Sequence, residues 1–204
     1  MASTQRRLKE LLRASRRSQA IYTMTETLDI RFYRIMLILG CVAVYAISIG
    51  KAQQPATAYI VKRGEGPVLQ RAPGNTIAIT VDPARGSNAM AMGTQSLEPG
   101  AGIPVHRHER EDEVLFIHDG RGTAIVGDER TAVAKGDTIF IPRGAWHGIE
   151  TNADRIDILW TVTPPGLEHF FREASTASGE QLKNLTPAQM QAIGLKHGVT
   201  FRPR

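Results

Sequence analysis

Residues 100–120 read GAGIPVHRHEREDEVLFIHDG, and this stretch decides the fold. His106 and His108 are separated by one residue, at the end of the β-prone run Ile103–Arg107. Side chains alternate between faces along a strand, so the two imidazoles point the same way and Arg107 the other. Glu113 follows at the head of the next apolar run, which ends in the turn Asp119-Gly120. Residues 136–147 read GDTIFIPRGAWH and deliver His147 just after the turn Pro142-Arg143-Gly144. Three neutral imidazoles and one carboxylate suit one divalent transition metal (Fe, Mn, Ni, Cu, Co or Zn). Calcium and magnesium would want mostly oxygen. Four protein ligands on an octahedral ion leave two positions for a substrate, or for substrate and dioxygen.

Short β-prone runs continue on both sides of these stretches. Candidate strands are Tyr59–Lys62, Thr76–Val81, Ala89–Leu97, Ile103–Arg107, Glu113–His118, Gly122–Val126, Thr131–Ala134, Thr138–Ile141, His147–Glu150 and Ile156–Val162. Gly, Pro, Asn and Asp punctuate them, and no helical pattern falls between. That organisation predicts an all-β sandwich or barrel and argues against a parallel α/β sheet. Two short helices are expected near the C-terminus. The first, around Gly166–Ala174, has Leu167, Phe170 and Phe171 on one face. The second starts at Thr186, with Pro187 at its first position, Gln189 completing a capping box and Leu185 and Met190 placed for a hydrophobic staple. Lys196, His197 and Gly198 end it. Both read as packing elements on the barrel or at a homodimer contact.

A lone His-x-His in a strand is often decoration. Here the first stretch spaces its residues as Gly100, His106-x-His108, Glu113 and Gly120, and the second as Gly136, Pro142-x-Gly144 and His147. Chance would assemble the first on the order of once in a million starting positions. These spacings resemble the two motifs of the cupin superfamily, with one departure: an Asn usual after three intervening residues beyond the last histidine comes one place late, as Asn152. The resemblance covers about residues 76–163. It implies a double-stranded β-helix (jelly-roll) barrel, with His106, His108, Glu113 and His147 as metal ligands. Residues 53–75 are then a linker and first strand, and 164–204 a helical extension.

Neighbouring groups are assigned lesser roles. Glu109, Glu111 and Asp112 are expected in a solvated turn, and His118, His169 and His197 at the surface. Trp146 is expected at the pocket mouth and Trp160 in the barrel core.

The N-terminus has a different character. Residues 1–34 are rich in Arg and Lys, and residues 35–50 are apolar and uncharged. Small residues around Gly50-Lys51-Ala52 complete the order of a secretory signal, with 35–52 as its apolar and cleavage regions. Retention of the segment as a membrane anchor is the other reading, and Met24 is an alternative start. Export to the periplasm or outside the cell is expected either way. Residues 1–52 hold nine basic residues against three acidic ones, leaving 16 basic and 17 acidic residues in 53–204. The body is therefore near neutral, which removes the electrostatic argument for nucleic-acid binding. Cys41, the only cysteine, lies inside the apolar run, so the body has no disulfide to rely on. About 150 residues bury enough surface to fold without one.

The tail Pro165–Glu173 looks like that of bacterial proteins related to quercetinase-type dioxygenases. The resemblance implies a dioxygenase-like enzyme that binds an enol or phenol oxygen of a small molecule, with Glu113 as the base that takes its proton. Two further readings stay open: a non-catalytic metal or small-molecule binding module, and a metal-dependent sugar or keto-acid isomerase, epimerase or lyase.

Overall fold

The structure is a computed structural model, and it describes residues 57–203. The readings made for residues 1–52 lie outside the described residues. Among the described residues, no helix is long and apolar enough to cross a membrane.

The strands are β1 (Val68–Ala72), β2 (Asn75–Val81), β3 (Ala91–Leu97), β4 (Gly102–His108), β5 (Asp112–Val126), β6 (Glu129–Ala134), β7 (Thr138–Ile141), β8 (His147–Glu150) and β9 (Ile156–Thr163). Helix α1 (Leu167–Ala174), strand β10 (Thr176–Ala177), helix α2 (Pro187–Lys196) and strand β11 (Val199–Phe201) follow. Every pairing among them is antiparallel, in the order β10-β1-β2-β3-β9-β5-β8-β4-β11, with β6 and β7 also on β5. The sheet curls so that one face of each strand lines a common interior, which is the all-β double-stranded β-helix architecture expected.

β5 joins the two leaves. Its first half pairs with β7 and β9, and its second half with β6 and β8. The expected break at Asp119-Gly120 is instead a bend inside one strand, with a register shift between Ile117 and Asp119. Gly120 makes the bend possible: its φ is +81°, and a Cβ there would lie 1.9 Å from the Arg155 carbonyl oxygen.

Alternation builds the core. On β9, Ile156, Ile158, Trp160 and Val162 face inward and are fully buried, while the residues between them are half-buried or exposed. Each such side chain contributes ~1.5–3 kcal/mol of hydrophobic stabilisation. Trp160 occupies the core as expected, edge-on to Phe171 at 5.2 Å.

The ends of the barrel differ from expectation. Tyr59–Lys62 is not a strand: Ile60 is exposed, the segment pairs with nothing in the sheet, and the first strand is Val68–Ala72. A β-prone run without a partner leaves its backbone groups to water. The tail beyond residue 163 is not purely helical either, because β10 pairs with β1 and β11 pairs with β4. The capping box of α2 forms as expected, Thr186 N donating to Gln189 Oε1 at 2.9 Å and Gln189 N to Thr186 Oγ1 at 3.3 Å.

Candidate metal centre

β4 and β8 lie side by side with His106 directly opposite His147. Two residues on, His108 shares the inward face of His106, as strand alternation requires. The three rings pack with centroids 4.2 Å (His106–His147), 4.9 Å (His106–His108) and 5.0 Å (His108–His147) apart. One nitrogen from each falls within 4.8 Å of the other two, an arrangement that could hold a metal ion. Glu113, inward on β5, brings Oε2 to 2.9 Å from His147 Nε2 and 3.2 Å from His108 Nε2. All four sequence-derived candidates thus meet at one place, the tightest grouping being the three imidazoles.

The turn before His147 aims it. Gly144 has a φ of +80°, which favours glycine, and its N–H donates to the His108 carbonyl at 2.7 Å. That bond ties the turn to the strand carrying the other two histidines.

Backbone carbonyls orient two of the rings. His106 Nδ1 lies 2.8 Å from the Pro104 oxygen and His147 Nδ1 lies 3.0 Å from the Ala145 oxygen. A carbonyl only accepts, so each Nδ1 carries the proton and each Nε2 keeps its lone pair for the site. His147 Nε2 lies 2.9 Å from Glu113 Oε2, yet among the described residues this buried nitrogen has no hydrogen-bond partner. Two ligand atoms ~2.1 Å from one ion and at right angles to each other lie ~3.0 Å apart, close to the spacings seen here. The donor set and the orphaned nitrogen both fit a divalent transition metal.

The electrostatics agree. Burial alone would raise the Glu113 carboxyl, but the contacts from His108 and His147 outweigh it and hold the group well below the usual carboxylate range. Burial, followed by the neighbouring His147 and His108, holds His106 well below its ordinary value, so it is neutral and available as a ligand.

The centre opens on an internal cavity of about 50 Å³ lined by His106, Glu113 and His147 with Arg71, Asn75, Gln95 and a ring of aliphatic and aromatic side chains. Gln95 Nε2 donates to Asn75 Oδ1 at 2.8 Å, and Asn75 Nδ2 to the Gly102 oxygen at 3.2 Å. Sequence reading passed over Arg71, Asn75, Gln95 and Phe201. For Asn75 and Gln95 a signal existed: each is a polar residue at an inward position of an otherwise apolar strand face. A larger open groove of about 780 Å³ runs past Asp119, Arg121, Lys135 and Asp154, but no residue of the centre lines it. Its charges pair with one another, Lys135 with Asp119 and Arg121 with Asp154.

Several neighbours take places other than those expected. Glu111 is not solvated: it is 2% exposed, its Oε2 finds no hydrogen-bond partner, and burial pushes its carboxyl up. Asp112 instead grips Arg143 through both carboxylate oxygens, each at 3.1 Å. Trp146 does not line the cavity but sits between Arg107 and Arg202, whose charges lie 4.9 and 5.1 Å from its ring. His197 is partly buried and joins Glu173 at 2.7 Å, whereas His118 and His169 are exposed as expected. At the place where the cupin-like spacing breaks, Thr151 rather than exposed Asn152 secures the turn. Its Oγ1 lies 2.9 Å from the Glu98 oxygen and 2.7 Å from the Ala101 oxygen.

With fold and centre established, comparison with known proteins places the chain. The sequence pattern of the cupin domain matches residues 93–164, which contain all four candidate ligands. The chain belongs to the cupin superfamily. It is similar to an uncharacterised protein of Streptomyces coelicolor, 32% identical over 76 residues that make up 37% of this chain and 71% of that one. It is also similar to the gentisate 1,2-dioxygenase of a Ralstonia species, 32% identical over 151 residues, 71% of this chain. The match spans 42% of that dioxygenase, less than half of its length. Among solved structures, KdgF from a Halomonas species matches with a TM-score of 0.49 and 18% identity, over 53% of this chain and 94% of that one.

Proposed function

We propose that this cupin binds one divalent transition metal through His106, His108, Glu113 and His147 and acts as a dioxygenase-like oxidoreductase on a small molecule that offers an enol or phenol oxygen. The observation that carries the proposal is the convergence of three imidazoles and an ionised carboxylate, with His106, His147 and Glu113 on the wall of a mostly apolar cavity. Similarity to a gentisate 1,2-dioxygenase supports the reaction class. A metal bound there would polarise the substrate oxygen and give dioxygen a place to react. The apolar walls would exclude water and hold the substrate against the imidazoles. Glu113, held ionised, is in the form that accepts a proton from the substrate hydroxyl. We further propose that residues 1–52 direct the chain out of the cytoplasm, on the strength of their basic and then apolar order.

Elemental analysis of the purified protein tests the centre. Close to one metal per chain is expected in the parent, and much less in His106→Ala and His147→Ala. Equal metal in all three sinks the ligand assignment. An oxygen electrode with a panel of small 1,3-diketones and enolisable acids tests the chemistry. Turnover that persists without oxygen would point to an isomerase or lyase instead.

A further inference from the structure

The cavity beneath the centre has a second charged wall that the proposed proton transfer does not use. Arg71, on β1, lines it together with His106, Glu113 and His147. The guanidinium is partly buried, and burial pulls its pKa below the ordinary value. Among the described residues Arg71 forms no ion pair. One Nη2 donor meets the Met190 sulfur of α2, and the charge lies 5.7 Å from the Phe170 ring. A thioether is a weak acceptor, and among the described residues the other four guanidinium donors have no protein partner. Arg107, Arg130, Arg143, Arg155 and Arg202, nearer the surface, each hold a carboxylate. The Asn75–Gln95 amides serve each other and the Gly102 carbonyl rather than Arg71.

An aromatic wall leads from this cation to the centre: Phe170 lies 5.9 Å from Phe201, and Phe201 lies 5.8 Å from His106. A molecule in the cavity therefore meets a cation with an unused planar fork, an apolar side, and His106 and His147 of the triad. A planar two-oxygen anion matches that fork. Size limits the rest. A cavity of about 50 Å³ favours a small molecule. With its carboxylate at Arg71, an enol or keto oxygen on a neighbouring carbon would face His106 and His147.

We infer that Arg71 anchors the carboxylate of a small 2-oxo acid whose second oxygen faces the triad, making Arg71 the residue that selects an acid over a neutral substrate. This rests on the reading of the triad as the reacting centre and names the substrate class it takes.

The test compares pyruvate with methyl pyruvate, which removes the charge and adds one methyl group, by calorimetric titration of the zinc-loaded full chain at fixed salt. The parent is expected to bind the acid ~10-fold or more tightly than the ester, the scale of a charge-assisted hydrogen-bonded pair. Arg71→Met, which keeps the stem against Phe170, is expected to bring that ratio close to one with zinc content unchanged. Should Arg71→Met fail to fold, Arg71→Gln carries the same expectation. A parent that binds the acid no better than the ester, or binds neither, overturns the assignment. So does an unchanged ratio in the folded variant, because the preference would then come from the metal alone. Zinc content is read separately: a parent that holds no zinc defeats the metal reading, and the ratio on that zinc-free protein still decides Arg71.

Discussion

Replacing Gly120 by alanine should cost far more than its backbone angle alone explains. The φ of +81° carries a penalty of ~1–2 kcal/mol for any residue with a Cβ. The new Cβ would also lie 1.9 Å from the Arg155 carbonyl oxygen, where contacts under 3.0 Å are essentially never seen. Backbone must therefore move by about an ångström between β5 and the start of β9, straining the register that ends at Gly120 opposite Ile156. Losing one such hydrogen bond costs about 1 kcal/mol, and overpacking adds ~1–3 kcal/mol. The sum is ~3–6 kcal/mol. Gly127 is the control: its φ is +64° with nothing within 4 Å of the added carbon, so Gly127→Ala should cost only the angular part. Urea denaturation of both variants, read by tryptophan fluorescence, gives the difference directly. We expect Gly120→Ala to be the less stable by ~2–4 kcal/mol. For a domain of this size that is a further loss of roughly 4–16 °C in melting temperature. Equal destabilisation of the two would refute the claim that β5 bends at Gly120 because the neighbouring strand leaves no room.

Acid should weaken the metal-free protein before it approaches the usual carboxylate range. Unfolded His106 takes up a proton near pH 6.5, while in the folded chain burial holds it well below that value. The unfolded state therefore binds more protons, and stability falls as pH drops from about 6.5 toward the folded value, by at most ~1.4 kcal/mol per pH unit. Glu113, held low in the fold, adds a loss of the same sign below about pH 4.3. Denaturation midpoints at pH 7.5 and 5.5 in chelator should show the decline, with a flatter response in His106→Gln; a midpoint that holds or rises on acidification argues against it. Thr151→Val keeps the shape but removes the hydroxyl bonded to the β3–β4 turn, and should cost ~1–2 kcal/mol. Asn152→Ala, at an exposed position, should stay within ~0.5 kcal/mol. A reversed order would return the turn to Asn152.

What the sequence disclosed about this molecule was what local alternation and spacing can carry. His106 and His108 share a face because one residue separates them, and His147 reaches them because a turn precedes it. Trp160 is likewise expected in the core, and alternation brings Ile156, Ile158 and Val162 to the same face. Long-range pairing leaves no such local trace. Val199–Phe201 is too short to read as a strand, and only its register against β4 makes it one. β1 shows no inward and outward rhythm, every residue being half-buried, so nothing in its sequence singles out Arg71. Charge misled at Glu111, which the fold encloses, and size misled at Trp146, which the flanking arginines hold away from the cavity.

The register of β11 also bears on how safely the protein folds. Val199, Thr200 and Phe201 stand opposite His108, Arg107 and His106, so the strand carrying two of the three imidazoles is an interior strand only while this short cap is docked. Nearly a hundred positions of chain separate Phe201 from His106, and such distant contacts form late. Until then β4 presents a bare row of backbone donors and acceptors, the surface on which chains add to one another. Three residues therefore cover an edge on which chains could otherwise add. Damage to them would surface first as insolubility, before any loss of ligands was felt.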